Sequence, residues 1–399
     1  MTHRSLAIAA ACAVFVWHGI GSQQAAYSAE TAKADEVPTF RYDPDFHKPL
    51  PNAWMTGNIG ARFMDKNVHL WIVQRPNSVI SLGERDALDG NGECCTPAPP
   101  VIEFDPAGNV VKTWGPIHVT DAATKSQKLA GKQVSPPYPD GLWPASEHGL
   151  YIDHKDNVWI SGNSDPSQLL KFTRDGKFLL RIGTQEAKSS NDKANLSGPA
   201  GIYVDPKTNE VFVADGYRNR RVIVFDADTG AYKRHWGAYG KQPPDGPQVS
   251  RPDPDLKKRR EQFELIHCVA GSNDGLLYTC DRANSRIQVF KKDGTFVRET
   301  FIEPRATGLG TAFTIALSPD PEQRFLYLGD GSNKKIHILR RSDMKVVGSY
   351  GTGGRGGGQF LLIHTMVVDS KGNLYVGETI DNNRVQRFNF TGLRPAAAK

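Results

Sequence analysis

One pattern recurs along the chain and restricts its fold more than any other feature. An apolar strand ends in Asp or Ser; a polar turn, a second apolar strand and a polar connector follow; a third strand closes, usually in Phe. Gly149-Leu-Tyr-Ile-Asp153, Asn157-Val-Trp-Ile160 and Leu170-Lys-Phe172 form one such unit. Gly201–Asp205 with Glu210–Val213 and Arg221–Phe225 forms the next, then Cys268–Ser272 with Leu276–Tyr278 and Arg286–Phe290. Thr314–Ser318 and Thr365–Asp369 open two more. Several units add a fourth strand after an Asp-Gly or Thr-Gly turn, as in Asp175-Gly-Lys-Phe-Leu-Leu-Arg-Ile-Gly183. Four short antiparallel strands in about 40 residues make a propeller blade, which buries its faces only by stacking on copies of itself.

A degenerate unit precedes these five: Gly60–Asp65, Val68–Val73, then after a long insertion Val101–Phe104 and Val110–Trp114. The expected architecture is therefore all-β, a six-bladed propeller of NHL-like repeats in one domain over residues 35–399. The last unit lacks a fourth strand after Phe390, and Thr39-Phe-Arg-Tyr42 is the segment expected to complete it and close the ring.

Residues 1–34 read as a secretory signal, a short basic start followed by the apolar run Leu6–Trp17. Small residues at Ala26/Ser28 and Ala32/Ala34 place the mature start between Ala29 and Glu36. The expected location is secreted or periplasmic, with no transmembrane segment. A formal charge of +6, with Lys and Arg spread along the chain, argues against nucleic acid as a partner. In an oxidising compartment Cys268 and Cys280, symmetric about the turn Ser272-Asn-Asp-Gly275, can pair across a hairpin. Cys94 and Cys95 are adjacent, and free thiols or a redox role stay open for them.

Chemistry enters at one repeat position. Five residues before the Asp or Ser that ends each first strand stand Gly60, His148, Ala200, His267, Phe313 and His364. Histidine thus occupies blades two, four and six, a third of a turn apart around the axis. The innermost strand of a blade lines the central channel, so the three imidazoles are expected to converge at one height. Three neutral nitrogens with an open fourth position are the ligand set of a catalytic zinc. The remaining histidines of the mature chain, His47, His69, His118, His154, His235 and His337, share no such register. Connectors after the second strands return to the same mouth, and they carry Arg75, Tyr217 and Arg282. Two cations and a phenol near a metal suit a small anionic or peptide-like substrate whose hydroxyl must lose a proton.

Together these residues resemble the peptidyl-α-hydroxyglycine α-amidating lyases, six-bladed zinc propellers, over nearly all of the mature chain. The specific pieces are Glu147-His-Gly-Leu150, Val213-Ala-Asp-Gly-Tyr217, Cys280-Asp-Arg-Ala-Asn-Ser-Arg-Ile-Gln288, Ile363-His364 and Gln74-Arg-Pro76. The resemblance implies zinc ligands at His148, His267 and His364, catalytic roles for Tyr217 and Arg75, and a substrate-carboxylate contact at Arg282. It implies C–N cleavage of a carbinolamide to an amide and an aldehyde acid such as glyoxylate. The chain departs from the family's pattern at five positions and in its domain content. Glu147, Ile266 and Ile363 stand where the family has Pro before its histidines. Arg218 replaces a cysteine beside the tyrosine, and Thr365 replaces the Asp that helps bind a structural Ca2+ in the family. No copper monooxygenase region accompanies the repeats. Two other functions are compatible with the repeat alone: a secreted scaffold that binds without catalysis, and a lactonase-type propeller hydrolase, which would hold its metal with carboxylates and Asn.

Overall fold

The computed structural model describes residues 36–46, 48–79, 86, 91–120, 127–129, 138, 141–245, 255, 261–306, 308–380 and 382–395. The expected signal segment 1–34 and His47 lie outside the described residues. Six four-stranded antiparallel sheets follow one another along the chain. Their first strands are Asn58–Met64, Glu147–Ile152, Pro199–Asp205, Ile266–Gly271, Ala312–Leu317 and Ile363–Val368. Each packs against the first strands of the two neighbouring blades, and that of blade 6 packs against that of blade 1, so the ring is closed. The fold is a six-bladed propeller with these strands innermost.

The closing strand comes from the N-terminal end. Glu36–Asp43 pairs antiparallel with Val385–Pro395 and forms the outer strand of blade 6. Val37 and Phe40 carry the closure, since both are buried in a cluster with Tyr327, Ile338, Met366 and Phe388. Among the described residues no helix is long and apolar enough to cross a membrane.

The repeated Asp has a local cause. Asp65 Oδ1 accepts the backbone N–H groups of Asn67 and His69, and Oδ2 accepts the Trp71 indole N–H at 3.2 Å. Asp153 does the same for Lys155, Asn157 and Trp159, and Asp369 for Lys371, Asn373 and the Tyr375 hydroxyl. One carboxylate thus closes the hairpin turn and anchors the aromatic ring of the second strand. Second and third strands are sandwiched between blades and read as unbroken apolar runs, as in Val211, Phe212, Val213 and Ala214, which are all fully buried. Fourth strands face solvent, and Phe178 and Leu179 are exposed there.

Connectors on the mouth are held by a second repeated device. Asp215 at the end of a second strand pairs with Arg221 at the start of the third at 2.9 Å, with both side chains fully buried. Asp281–Arg286 at 2.7 Å and Glu378–Arg384 at 2.8 Å repeat the pairing. Asn219, Asn284 and Asn382 complete it by donating to the same carboxylates. Cys268 and Cys280, directly opposed on the first two strands of blade 4, form a disulfide. Cys94 and Cys95 are not bonded to each other, and their sulfurs lie 2.6 Å apart.

Candidate metal centre on the propeller axis

The register of every first strand breaks at one place. Pairing skips Gly60, His148, His267, Phe313 and His364 in blades 1, 2, 4, 5 and 6, and Ala200-Gly201 in blade 3. A β-bulge leaves its extra residue out of the ladder and re-aims its side chain. The bulge therefore turns the repeat position toward the axis, and the three histidines meet there. Their ring centroids are 4.9, 4.9 and 5.0 Å apart, with the planes nearly perpendicular.

Backbone carbonyls of the following blade orient the rings. His267 Nδ1 donates to Phe313 O at 2.6 Å and His364 Nδ1 to Ile59 O at 2.9 Å. A carbonyl only accepts, so the hydrogen sits on Nδ1 and Nε2 presents its lone pair inward. His148 Nδ1 is buried without a hydrogen bond of good geometry. The Ala200 carbonyl is near enough to favour protonation of His148, and it also accepts from the Ser161 hydroxyl at 3.1 Å.

Burial holds all three imidazoles below their ordinary pKa, His267 down to about 3. The neighbouring histidines and Arg75 add to this at His148, and Arg282 and Arg75 at His267. The result is three neutral nitrogen donors within 4.8 Å of one another, a group that can hold a metal ion. Asp65, His69 and Glu103 form a second such group away from the axis, but Arg174 already pairs with both carboxylates at 2.7 and 2.8 Å.

The mouth brings the other three sequence-predicted residues to this ring. Tyr217 Oη lies 2.8 Å from His148 Nε2 and 3.3 Å from His267 Nε2. Its connector is pinned by the Asp215–Arg221 pair and passes close to blade 4 at Gly216, where a Cβ would lie 1.8 Å from Ile266 O. Arg75 donates from Nε to Glu147 O at 2.7 Å, while one of its terminal nitrogens, Nη2, is buried with no partner. Gln74, fully buried, fixes that connector by accepting from Gly57 N–H and donating to Ala98 O, both at 2.7 Å. Arg282 stacks over the Phe313 ring at 3.9 Å and donates from Nε to Leu309 O. Both guanidiniums act on Tyr217 electrostatically, and both lose some basicity to burial.

Two features of the site escaped the sequence reading. Glu147 is buried with its carboxyl pushed up to about 7 by desolvation; the Trp143 indole N–H, at 2.7 Å, and Arg75 oppose the rise. The only available signal was an acidic residue in an otherwise apolar strand. Arg62, on the first strand of blade 1, reaches Thr314 Oγ1 of blade 5 at 3.2 Å from within the channel. The residues around the axis do not fit a calcium ion. Thr365 stands in the carboxylate position, no Asp or Glu among the described residues lines the channel, and a guanidinium is there instead. Arg218, in the family's cysteine position, turns outward and pairs with Glu186 on the rim.

No family model matches the chain. Curated relatives do. Peptidyl-glycine alpha-amidating monooxygenase B of Xenopus laevis is 27% identical over 246 residues, 59% of this chain and 25% of its own length. Peptidyl-alpha-hydroxyglycine alpha-amidating lyase 2 of Drosophila melanogaster is 30% identical over 250 residues, 60% of this chain and 53% of its own. The matched region thus spans about a quarter of the amidating monooxygenases and about half of that lyase. The solved streptogramin B lyase structure aligns with 90% of this chain and 98% of that chain, at 11% identity and a TM-score of 0.48. The resemblance to amidating lyases read from the motifs is matched by relatives that carry that name.

Proposed function

We propose that the chain is an exported zinc-dependent lyase that cleaves the C–N bond of an α-hydroxyglycine-type carbinolamide, releasing an amide and glyoxylate or a similar aldehyde acid. One observation carries this reading: a phenol oxygen set 2.8 and 3.3 Å from two Nε2 atoms of an all-histidine ring, with two arginines beside it. His148, His267 and His364 would hold the ion, and three neutral imidazoles suit zinc better than magnesium or calcium. When bound, zinc supplies a Lewis acid that lowers the pKa of a ligated hydroxyl.

The chain's own residues would do the rest. Tyr217, as phenolate, takes the proton of the substrate hydroxyl. The C–O bond becomes a carbonyl as the C–N bond breaks, the bond's electron pair leaves with the amide nitrogen, and that nitrogen collects a proton. Arg75 offsets the phenolate charge and keeps a free donor at Nη2. Arg282, fixed by Phe313 and Leu309, holds the substrate carboxylate. A scaffold would have no use for a buried arginine donor left unpaired beside a tyrosine, and a lactonase-type site would need carboxylates that the described residues of the axis lack. Glyoxylate release from an N-acyl-α-hydroxyglycine by the zinc-loaded protein tests the proposal; absence of turnover with zinc bound would reject the substrate class.

A further inference from the structure

Beneath the histidine ring the axial channel opens into a cavity of about 80 Å³, lined by first-strand residues of all six blades. Most of the lining is backbone or small and apolar side chains, and among the described residues it contains no Asp or Glu. Arg62 enters this space from blade 1. Its Nη2 donates to Thr314 Oγ1 at 3.2 Å, and its Nε is buried without any partner. Among the described residues no carboxylate pairs with it, and burial alone acts on its charge. Arginine does not give up its proton in proteins, so the guanidinium keeps a full positive charge in a channel that offers no negative one. The side chain is half-buried, so water in the channel screens part of that charge, but its buried Nε is left without an acceptor. That acceptor has to come from solution.

We propose that the channel binds a small monovalent anion of the chloride class on Arg62 and the Thr314 hydroxyl, and that this anion, rather than calcium, is the structural ion of the propeller axis. The unpartnered Nε provides a donor and the hydroxyl of Thr314 a second one once it turns from acceptor to donor. A cavity of about 80 Å³ suits a small anion. A calcium ion would face the guanidinium directly. The inference stands on the channel alone and does not depend on the lyase reading.

Thermal unfolding of the zinc-loaded protein, titrated with chloride against gluconate at constant ionic strength, tests it. Wild type should show a rise in Tm of about 2 °C at roughly ten times the anion's Kd, increasing further with the logarithm of chloride concentration. Arg62→Met, with its zinc content unchanged, should show none, and calcium or a calcium chelator should leave wild type where it was. An equal chloride response in the variant would assign the effect to the metal or the surface and overturn the proposal. So would a flat wild-type response, or a calcium-dependent rise. If Arg62→Met does not fold, crystals of wild type soaked in bromide give the answer. An anomalous peak within hydrogen-bond distance of Arg62 supports the site, and bromide bound elsewhere with an empty channel overturns it.

Discussion

Tyr217→Phe isolates the proposed chemistry from the architecture. The ring is held by its neighbours, with centroids 5.0 Å from His148 and 5.8 Å from His267, and its connector is fixed by the Asp215–Arg221 pair, so the substitution removes one oxygen and little else. In the folded protein that oxygen makes a hydrogen bond to His148 Nε2, whose loss should cost about 1 kcal/mol of stability or less. In the proposed turnover it takes the hydroxyl proton beside the metal ligands. General-base catalysis contributes about 10²–10⁴-fold, so kcat should fall by that factor, about 2.7–5.5 kcal/mol of barrier. KM and zinc content should change little. The assay is glyoxylate release under saturating substrate, with metal measured on the same sample. A variant within about threefold of wild type would refute the assignment of Tyr217, because a hydroxyl that merely packs against the ring can be lost at no cost to rate.

Other perturbations read the supporting structure. Arg221→Met leaves Asp215 fully buried and unpaired, which should cost about 3–5 kcal/mol in urea unfolding and loosen the Tyr217 connector; a loss under 1 kcal/mol would contradict the role given to the pair. Phe40→Ala removes a buried ring from the closing strand and should cost about 3–5 kcal/mol, seen as a lowered Tm and early exposure of the N-terminal segment to protease. The metal-free protein should lose stability as pH falls from about 6.5 toward 3. The unfolded chain protonates its histidines near 6.5 while folded His267 resists to about 3, so the unfolded state binds more protons across that window, about 1.4 kcal/mol per pH unit from His267, with His148 and His364 acting in the same direction. Above pH 7 these groups should contribute no slope, and a flat profile between 6.5 and 4 would show that the rings are not held neutral.

The repeat was legible because its signature residue does a local job. Asp65, Asp153 and Asp369 each cap their own turn, so the pattern survives even where the rest of a blade has drifted. Closure by Thr39–Tyr42 followed from counting strands, and the strand proved longer, Glu36–Asp43. The histidine position could be found by counting from Asp, but the reason it faces the axis, a bulge at the same place in each blade, is a property of pairing and leaves no mark on a single strand. The Asp215–Arg221 and Asp281–Arg286 pairs were written in the sequence at nearly constant spacing, with Asn219 and Asn284 between, and went unread because their meaning lies in burial. The carbonyls of Ile59 and Phe313 that set the imidazole tautomers belong to neighbouring blades and carry no side-chain signal. Arg62 is the clearest case: a lone arginine on a first strand looks like a solvent residue until the ring closes around it.

On the proposed function, the axial histidines hold a zinc ion that the chain uses for C–N cleavage. Metal content measured by mass spectrometry on purified wild type beside His148→Ala, each followed by glyoxylate release from an α-hydroxyglycine amide, tests it most directly. One zinc per wild-type chain with glyoxylate formed, and both lost in the variant, is the expected result. A wild-type protein that takes up no metal when zinc is supplied would contradict it.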